Sequence, residues 1–325
     1  MIAVHILWIS AAMASGMAAL FGVLLFRRWR EEAKARKAGD LLAAITRSYL
    51  RRVAGQLDNE ASPAWTVDQR LAVVSHIRLL LRGGERDRLM QMAELDGLLR
   101  ATLRKSRSWR AARRVDTIRQ LQQFGSEACI ARLREIFTSD RVGAVRLEAA
   151  FALASIKALP PPRETIRILG MFQRKSTRLD SALLRSSAPH YVDQLNLLLA
   201  DPLPHAKRAL IIDALGWSED PSVLPTLERA SRTDYPELRS AALRAAAKLG
   251  HPSAAEWIID LLSDPVAFVR IQAVNSCAAL GLRDAIPDLH RLMEDQDIWV
   301  RLRSEQALDV LEYEWPRDGL KGLVA

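Results

Sequence analysis

Apolar residues recur at helical spacing along most of this chain, and short polar breaks separate the apolar stretches. One stripe holds Leu238, Ala242, Ala245 and Leu249, which lie on a single face of a helix. Gly, Asp-Pro and Ser-Asp stand at the breaks, where they favour turns, helix caps and helix ends. The pattern predicts an all-α fold made of short helices.

The helical pattern also repeats. A cationic residue opens the second helix of each copy, at Arg114, Arg146, Arg178, Arg239, Arg270 and Arg301. Successive spacings are 32, 32, 61, 31 and 31 residues, and Lys207 or Arg208 fills the double gap. A fixed period of this length is typical of stacked repeats, in which neighbouring helix pairs bury a continuous core.

Most of these arginines follow an aspartate five or six residues earlier. The aspartates are Asp140, Asp234, Asp264 and Asp295. Pairing within or between repeats would fix the angle between neighbours, so we predict a structural role for this row. We also predict that Gly125, Gly216, Gly250 and Gly281 end their helices in the left-handed conformation.

The cassette Asp-Pro, Val-Arg, Ala and Leu-Gly resembles the HEAT repeat family in its short bacterial, PBS-lyase-like form. The resemblance covers residues 107–312 and, less regularly, 63–106. It implies a right-handed α-solenoid of stacked antiparallel helix pairs that serves as an interaction scaffold. Repeats around Arg178 and Lys207 depart from the pattern, because residues 185–189 replace the Leu-Gly stop.

The amino-terminal segment differs from the rest. Ile6 to Phe26 is 21 residues without a charge, which is long enough for a transmembrane helix. Cations follow this stretch and none precedes it, so we expect an uncleaved anchor of the inner membrane, with the amino end outside and the remainder cytoplasmic. The predicted organisation is therefore a span at 1–26, a basic juxtamembrane helix and linker at 27–62, the array at 63–312 and a tail at 313–325.

Small residues form one stripe along this predicted span. They are Ala11, Ala14, Ser15, Ala18, Ala19 and Gly22. Such a stripe permits close packing on another membrane helix, although Ala and Gly are also common in any membrane span.

After the span, residues 27–52 carry nine Lys and Arg against three acids, which predicts either attraction to anionic lipid headgroups or a topology signal alone. Leu41, Leu42, Ile45, Tyr49 and Val53 share one face there and are expected to pack on the first repeat.

Catalytic and metal-binding patterns are not found. The six histidines stand apart, whereas hydroxylases built on HEAT repeats use repeated His-Glu pairs, and no phosphate loop, Gly-x-Ser-x-Gly or Cys-x-x-Cys occurs. Cys129 and Cys277 fall in apolar helical stretches and are expected to be buried. We therefore expect no enzymatic activity, no cofactor and no metal site.

Charge gives the clearest functional signal. The formal net charge of +9 is the sum of +15 over residues 1–200 and −6 over residues 201–325. One basic segment holds seven cations, an aromatic residue and no acid: Arg100, Arg104, Lys105, Arg107, Trp109, Arg110, Arg113 and Arg114. It could be a solvated face, or could contact an acidic partner, anionic lipid or, less favoured, nucleic acid or a nucleotide.

These observations predict a membrane-anchored cytosolic HEAT-repeat scaffold for protein–protein interaction in an envelope-associated complex. A membrane glycosyltransferase or a signalling component would suit as partner. The alternative is a nucleic-acid or nucleotide binder that uses residues 100–114.

Overall fold

The computed structural model describes residues 2–56 and 65–312, without the side chains of residues 2–15, 18 and 19. Every regular element in these ranges is a helix. The chain forms two compact units, unit 1 from Met1 to Phe124 and unit 2 from Gly125 to Ala325. Unit 1 contains α1 (Ile2–Val53), α2 (Val67–Leu80), α3 (Gly83–Leu95), α4 (Leu98–Lys105) and α5 (Ala111–Phe124).

Unit 1 is built around the carboxyl-terminal part of α1. Ile45, Tyr49 and Val53 are buried against α2 and α3, as their spacing predicted, whereas Leu42 is exposed. Arg52 donates two hydrogen bonds to the Asp96 carboxylate, at 2.9 and 3.0 Å, and the Tyr49 hydroxyl donates a third at 2.7 Å. Burial opposes ionisation of Asp96, but these hydrogen bonds hold its pKa below the ordinary value.

The predicted membrane span lies in α1. The predicted span and the predicted juxtamembrane helix form one continuous helix from Ile2 to Val53. Among the described residues, no helix combines the length and apolar character needed to cross a membrane, so the anchor is not confirmed. Most of the small-residue stripe has side chains outside the described set; for Gly22, an added Cβ would meet no heavy atom within 4 Å. The end of the predicted linker, at residues 57–62, and the tail at 313–325 also lie outside the described residues.

Up to residue 312, unit 2 contains twelve α-helices. They are α6 (Glu127–Ser139), α7 (Gly143–Ser155), α8 (Pro162–Leu169), α9 (Arg178–Ser187), α10 (Val192–Leu198), α11 (His205–Leu215), α12 (Leu224–Ser231), α13 (Pro236–Leu249), α14 (Ala255–Asp260), α15 (Ala267–Leu280), α16 (Ile286–Leu292) and α17 (Ile298–Leu311). Short 3-10 turns precede α10, α12, α14 and α16.

Two layers of helices form unit 2. Helices α9, α11, α13, α15 and α17 contact one another in that order, and α12, α14 and α16 each pack on the helix that follows. The core between the layers includes Leu215, Leu243, Ile258, Val274 and Leu308. This stacking of helix pairs is the arrangement that the repeat predicted.

Helix ends show where residue identity sets the fold. Thr66 begins α2 through a capping box with Gln69. Gly125, Gly250 and Gly281 adopt positive φ angles, as predicted. The prediction was wrong for Gly216, which has an ordinary φ of −63°. Glycine is required here for a different reason, because a Cβ would lie 2.5 Å from the carbonyl oxygen of Ala245.

Candidate binding surfaces

The basic segment lies in α4, in the turn after it and in the first turn of α5. Arg100 and Arg104 are four residues apart on α4, and both are exposed. Arg107, Arg110 and Arg113 are also exposed. Among the described residues, no carboxylate lies within ion-pair distance of these five arginines. Their charge therefore faces solvent without local neutralisation.

Trp109 projects from the middle of this segment. Its side chain is 82% exposed, and the Arg110 guanidinium lies 4.8 Å from its ring centroid. A large exposed aromatic ring beside a cation combines an apolar contact area with a charge, a combination that is enriched in binding sites. Most tryptophans bury this surface in a protein core, so the exposure of Trp109 calls for a functional explanation.

Two members of the predicted segment have structural partners. Lys105 forms an ion pair with Asp68 at the start of α2. Arg114 is half-buried and donates from Nη1 to the carbonyl oxygens of Ser108 and Trp109, both at 2.9 Å. These contacts fix the turn between α4 and α5. The accessible part of the segment is thus Arg100, Arg104, Arg107, Trp109, Arg110 and Arg113, which we call the basic surface.

The electrostatics of the basic surface favour an anion. Helix α5 begins at Ala111, so Arg110 and Arg113 lie at the positive end of its dipole. Like charges placed there repel the dipole, and a bound anion would relieve that repulsion.

The amino-terminal helix differs, since Glu31 and Glu32 lie within 4.0 Å of Arg27, Arg28 and Arg36. Arg52, which we counted among the lipid-facing cations, is instead paired with Asp96.

The predicted row of arginines in unit 2 has one recurring geometry. In each case the guanidinium Nη1 donates to the carbonyl oxygen six residues earlier, at 2.7–3.0 Å. The arginines with this contact are Arg146, Arg239, Arg270 and Arg301. Arg239 also donates twice to the Asp264 carboxylate, at 2.6 and 2.8 Å, and Arg270 does the same to Asp295 at 2.8 Å. The ion pairs therefore run from one repeat to the next. We call this set the arginine ladder.

Arg178 does not belong to the ladder. It is the exposed first residue of α9, whereas every ladder arginine is the fourth residue of its helix. In α11 the fourth residue is Arg208. Its neighbour Lys207 is buried and donates to the carbonyl oxygens of Met171 and Arg174 and to the Ser176 hydroxyl. The irregular spacing of the sequence between α7 and α11 concealed this register.

A second charged row crosses three stacked helices and was missed by the sequence analysis. Asp213 of α11 accepts hydrogen bonds from Arg185 of α9 at 2.8 Å and from Arg244 of α13 at 2.9 Å. Trp217 lies between two cations, with Arg185 5.3 Å and Lys248 4.3 Å from its ring centroid. The only sequence signal was the 31-residue spacing between Asp213 and Arg244.

The described residues offer no assembled catalytic group. No cluster of three or more His, Cys, Asp or Glu within the described ranges is placed to hold a metal ion. His251 accepts a hydrogen bond from the backbone N–H of Ser253, so it caps the 3-10 turn that follows. Cys129 and Cys277 are buried, as expected, and burial raises the pKa of Cys277 to about 12.

Comparisons with known proteins agree with the repeat geometry. Residues 228–309 match the family model of HEAT repeats. That range runs from within α12 to within α17, and it includes the ladder residues Arg239, Arg270 and Arg301. A comparison with curated proteins gave no match.

Two solved structures are among those to which this chain is similar. Human deoxyhypusine hydroxylase in complex with glycerol is 16% identical, with 86% of this chain and 99% of that chain covered and a TM-score of 0.34. A designed armadillo repeat protein is 18% identical, with 66% and 99% covered and a TM-score of 0.28. At such TM-scores neither likeness bears on activity.

Proposed function

We propose that this chain is a HEAT-type scaffold that holds an acidic protein partner on the basic surface, in a complex at the inner membrane. The observation that carries the proposal is the exposure of Trp109 among arginines that have no carboxylate partner in the described part of the chain. An apolar anchor surrounded by cations is suited to a partner with an apolar pocket and an acidic rim.

Anchoring by residues 6–26 is part of the proposal. What supports it is the run of exposed apolar side chains from Leu20 to Phe26, followed by Trp29 and by the cations that begin at Arg27. Water would leave such a run poorly solvated, whereas a hydrocarbon layer would accept it. The proposed orientation places the residues after Phe26 in the cytoplasm, with the cations of residues 27–37 next to anionic headgroups.

The test is capture of the full chain and its variants in mild detergent, with quantitative identification of what co-purifies. A variant with Arg104→Glu, Arg107→Glu and Arg110→Glu should lose an acidic partner that the unaltered chain retains. The matched control changes three exposed arginines of unit 2, Arg141→Glu, Arg178→Glu and Arg283→Glu, and should retain it. A chain without residues 2–26 should leave the membrane fraction.

Three outcomes would count against parts of the proposal. Equal capture by both triple variants would exclude the basic surface as the docking site. If the full chain enriches nothing beyond what residues 1–56 alone enrich, the scaffold role is excluded. Membrane retention after removal of residues 2–26 would exclude the anchor.

Nucleic acid is the second candidate, and the exposed Trp109 ring favours it, because bases stack on such rings. Binding of a single-stranded oligonucleotide that weakens steeply between about 50 and 200 mM salt, and that Trp109→Ala reduces, would support this candidate over a protein partner.

A further inference from the structure

A cavity of about 380 Å³ opens in unit 2 among helices α10, α11, α12 and α13. Its walls are mostly apolar, and several polar side chains also line it. The apolar lining comes from Leu199, Ile212, Ala230 and Leu238, and the polar lining from Asn196, Arg208, Thr226, Arg229, Thr233 and Tyr235. This volume is in the range of sites for small ligands, which are roughly 300–1,000 Å³.

The cavity lies where the arginine ladder lacks an aspartate. Arg239 and Arg270 pair with a carboxylate 25 residues further on, Asp264 and Asp295. Arg208 occupies the same fourth position of its helix, and the residue 25 positions further on is Thr233. The Thr233 hydroxyl donates to the carbonyl of Ala230 instead. A threonine is shorter than the aspartate and carries no charge, so it leaves both space and an unneutralised guanidinium.

Arg208 has little compensation from its surroundings. Its Nη2 donates to the carbonyl oxygen of Leu199 at 3.2 Å, and no carboxylate among the described residues pairs with it. Asp201, the nearest aspartate before it in sequence, is paired with Arg163 at 3.0 Å. A half-buried guanidinium that has five N–H donors and one weak neutral acceptor retains most of its capacity for a bidentate carboxylate.

A second polar group in the cavity lacks a partner. The side-chain Oδ1 of Asn196 is buried and, within the described residues, accepts no hydrogen bond. An acceptor left in this state is unfavourable unless a ligand or water donates to it. The Tyr235 ring, which also lines the cavity, stacks on His205 with a centroid separation of 3.5 Å, and this contact holds Tyr235 in place.

We infer that the cavity binds a carboxylate attached to a small apolar body. The ligand carboxylate takes the place of the missing aspartate on Arg208, with Arg229 at the rim as a second cation. The apolar body lies against Leu199, Ile212 and Leu238, beside the Asn196 side chain. Either a free N-acylated amino acid or the carboxyl-terminal residue of a peptide has this chemistry. The inference is independent of the proposed function, because the basic surface belongs to unit 1.

The experiment measures binding to the full chain in mild detergent by calorimetry. The probes are N-acetyl-leucine, its uncharged amide and an Ala-Ala-Leu peptide with a free carboxylate. We expect N-acetyl-leucine to bind at least about tenfold more tightly than the amide, since the amide cannot form the bidentate ion pair. Tighter binding of the peptide would identify a chain terminus as the natural ligand, and equal binding would identify a free acid.

Thr233→Asp is the decisive variant. It restores the carboxylate of the regular repeats, so it should weaken N-acetyl-leucine binding at least about tenfold and raise the melting temperature. Gln296→Asp is the matched control, because it adds the same charge at an exposed position and should leave binding unchanged. Arg208→Gln should also lose N-acetyl-leucine binding. This variant tests the inference if Thr233→Asp does not fold.

The inference is overturned if neither carboxylate probe binds at about 10 mM, a concentration that detects very weak complexes. It is also overturned if the amide binds as well as the acid, or if the folded Thr233→Asp and Arg208→Gln variants bind like the unaltered chain.

Discussion

Arg239 and Arg270 are good examples of how one side chain can hold two repeats together. Each guanidinium contacts the backbone of its own repeat through Nη1 and the aspartate of the next repeat through Nε and Nη2. Asp264 and Asp295 also accept a hydrogen bond from the backbone N–H two residues on, which shapes the turn before the next helix. A change of either partner therefore affects a turn and a helix contact together.

Removal of one ladder aspartate should be strongly destabilising. Asp264→Ala leaves the guanidinium of Arg239 buried without its counter-charge, a change that costs roughly 3–5 kcal/mol when a buried pair is broken. Urea denaturation followed by circular dichroism measures the loss. Asp260→Ala removes an exposed aspartate of the same repeat and should have little effect, so equal stability of the two variants would contradict this role for the ladder.

At the scale of the helices, close approach matters as much as termination. Helices α11 and α13 come together where Gly216 faces the backbone of Ala245, and the ordinary φ of Gly216 shows that lack of a side chain is what this position requires. Gly250 and Gly281 have the other role, since positive φ angles let them end α13 and α15. The same residue type thus serves two different physical needs.

Gly216→Ala should destabilise unit 2 although alanine favours helices. Its Cβ would have to displace the backbone of α13, and overpacking of this kind costs about 1–3 kcal/mol or more. The matched control is Gly143→Ala, whose Cβ would meet only a side-chain atom of Arg146 at 3.8 Å. Denaturation midpoints of the two variants provide the measurement. A Gly216→Ala protein as stable as the control would rule out the close contact.

At the scale of the whole molecule, buried carboxylates make both units sensitive to acid. Burial alone would raise the pKa of Asp180 and Asp295, but hydrogen bonds from Arg174 and Arg270 and from the backbone more than offset it, so both pKa values are lowered from 3.8. Asp96 in unit 1 is lowered in the same way by Arg52 and Tyr49. The folded state therefore binds protons less readily than the unfolded state.

This difference predicts that the stability contributed by these carboxylates is fully present above the ordinary carboxyl pKa. It is lost as the pH falls through the lowered pKa values. The free energy of unfolding should be constant near neutral pH and decrease below about pH 4, because the unfolded chain then binds more protons than the folded chain. Urea titrations at a series of pH values provide the test. The Asp295→Asn variant should start less stable and decline less steeply, and a flat profile for the unaltered chain would contradict the assignment.

The repeat sequence by itself determined much of the architecture. Local signals were sufficient for the helical class and for most glycine stops, because they depend on residues a few positions apart. The 31-residue interval likewise predicted the stacking of α13, α15 and α17, since each repeat must cover the apolar face of its neighbour. Leu42 was placed incorrectly, because periodicity alone cannot tell which edge of a stripe remains in solvent. Arg178 was placed incorrectly, because the irregular spacing between α7 and α11 concealed the register of the repeats.

Only the tertiary structure decided which charged groups are engaged and which are available. Within the basic segment it assigned Lys105 to Asp68 and Arg114 to the backbone, and left Trp109 and five arginines accessible. It also joined Asp213 to Arg185 and Arg244 and exposed the gap beside Arg208. These ion pairs join residues that are 28 to 37 positions apart, and the distances between them are set by how helices pack and not by local propensity.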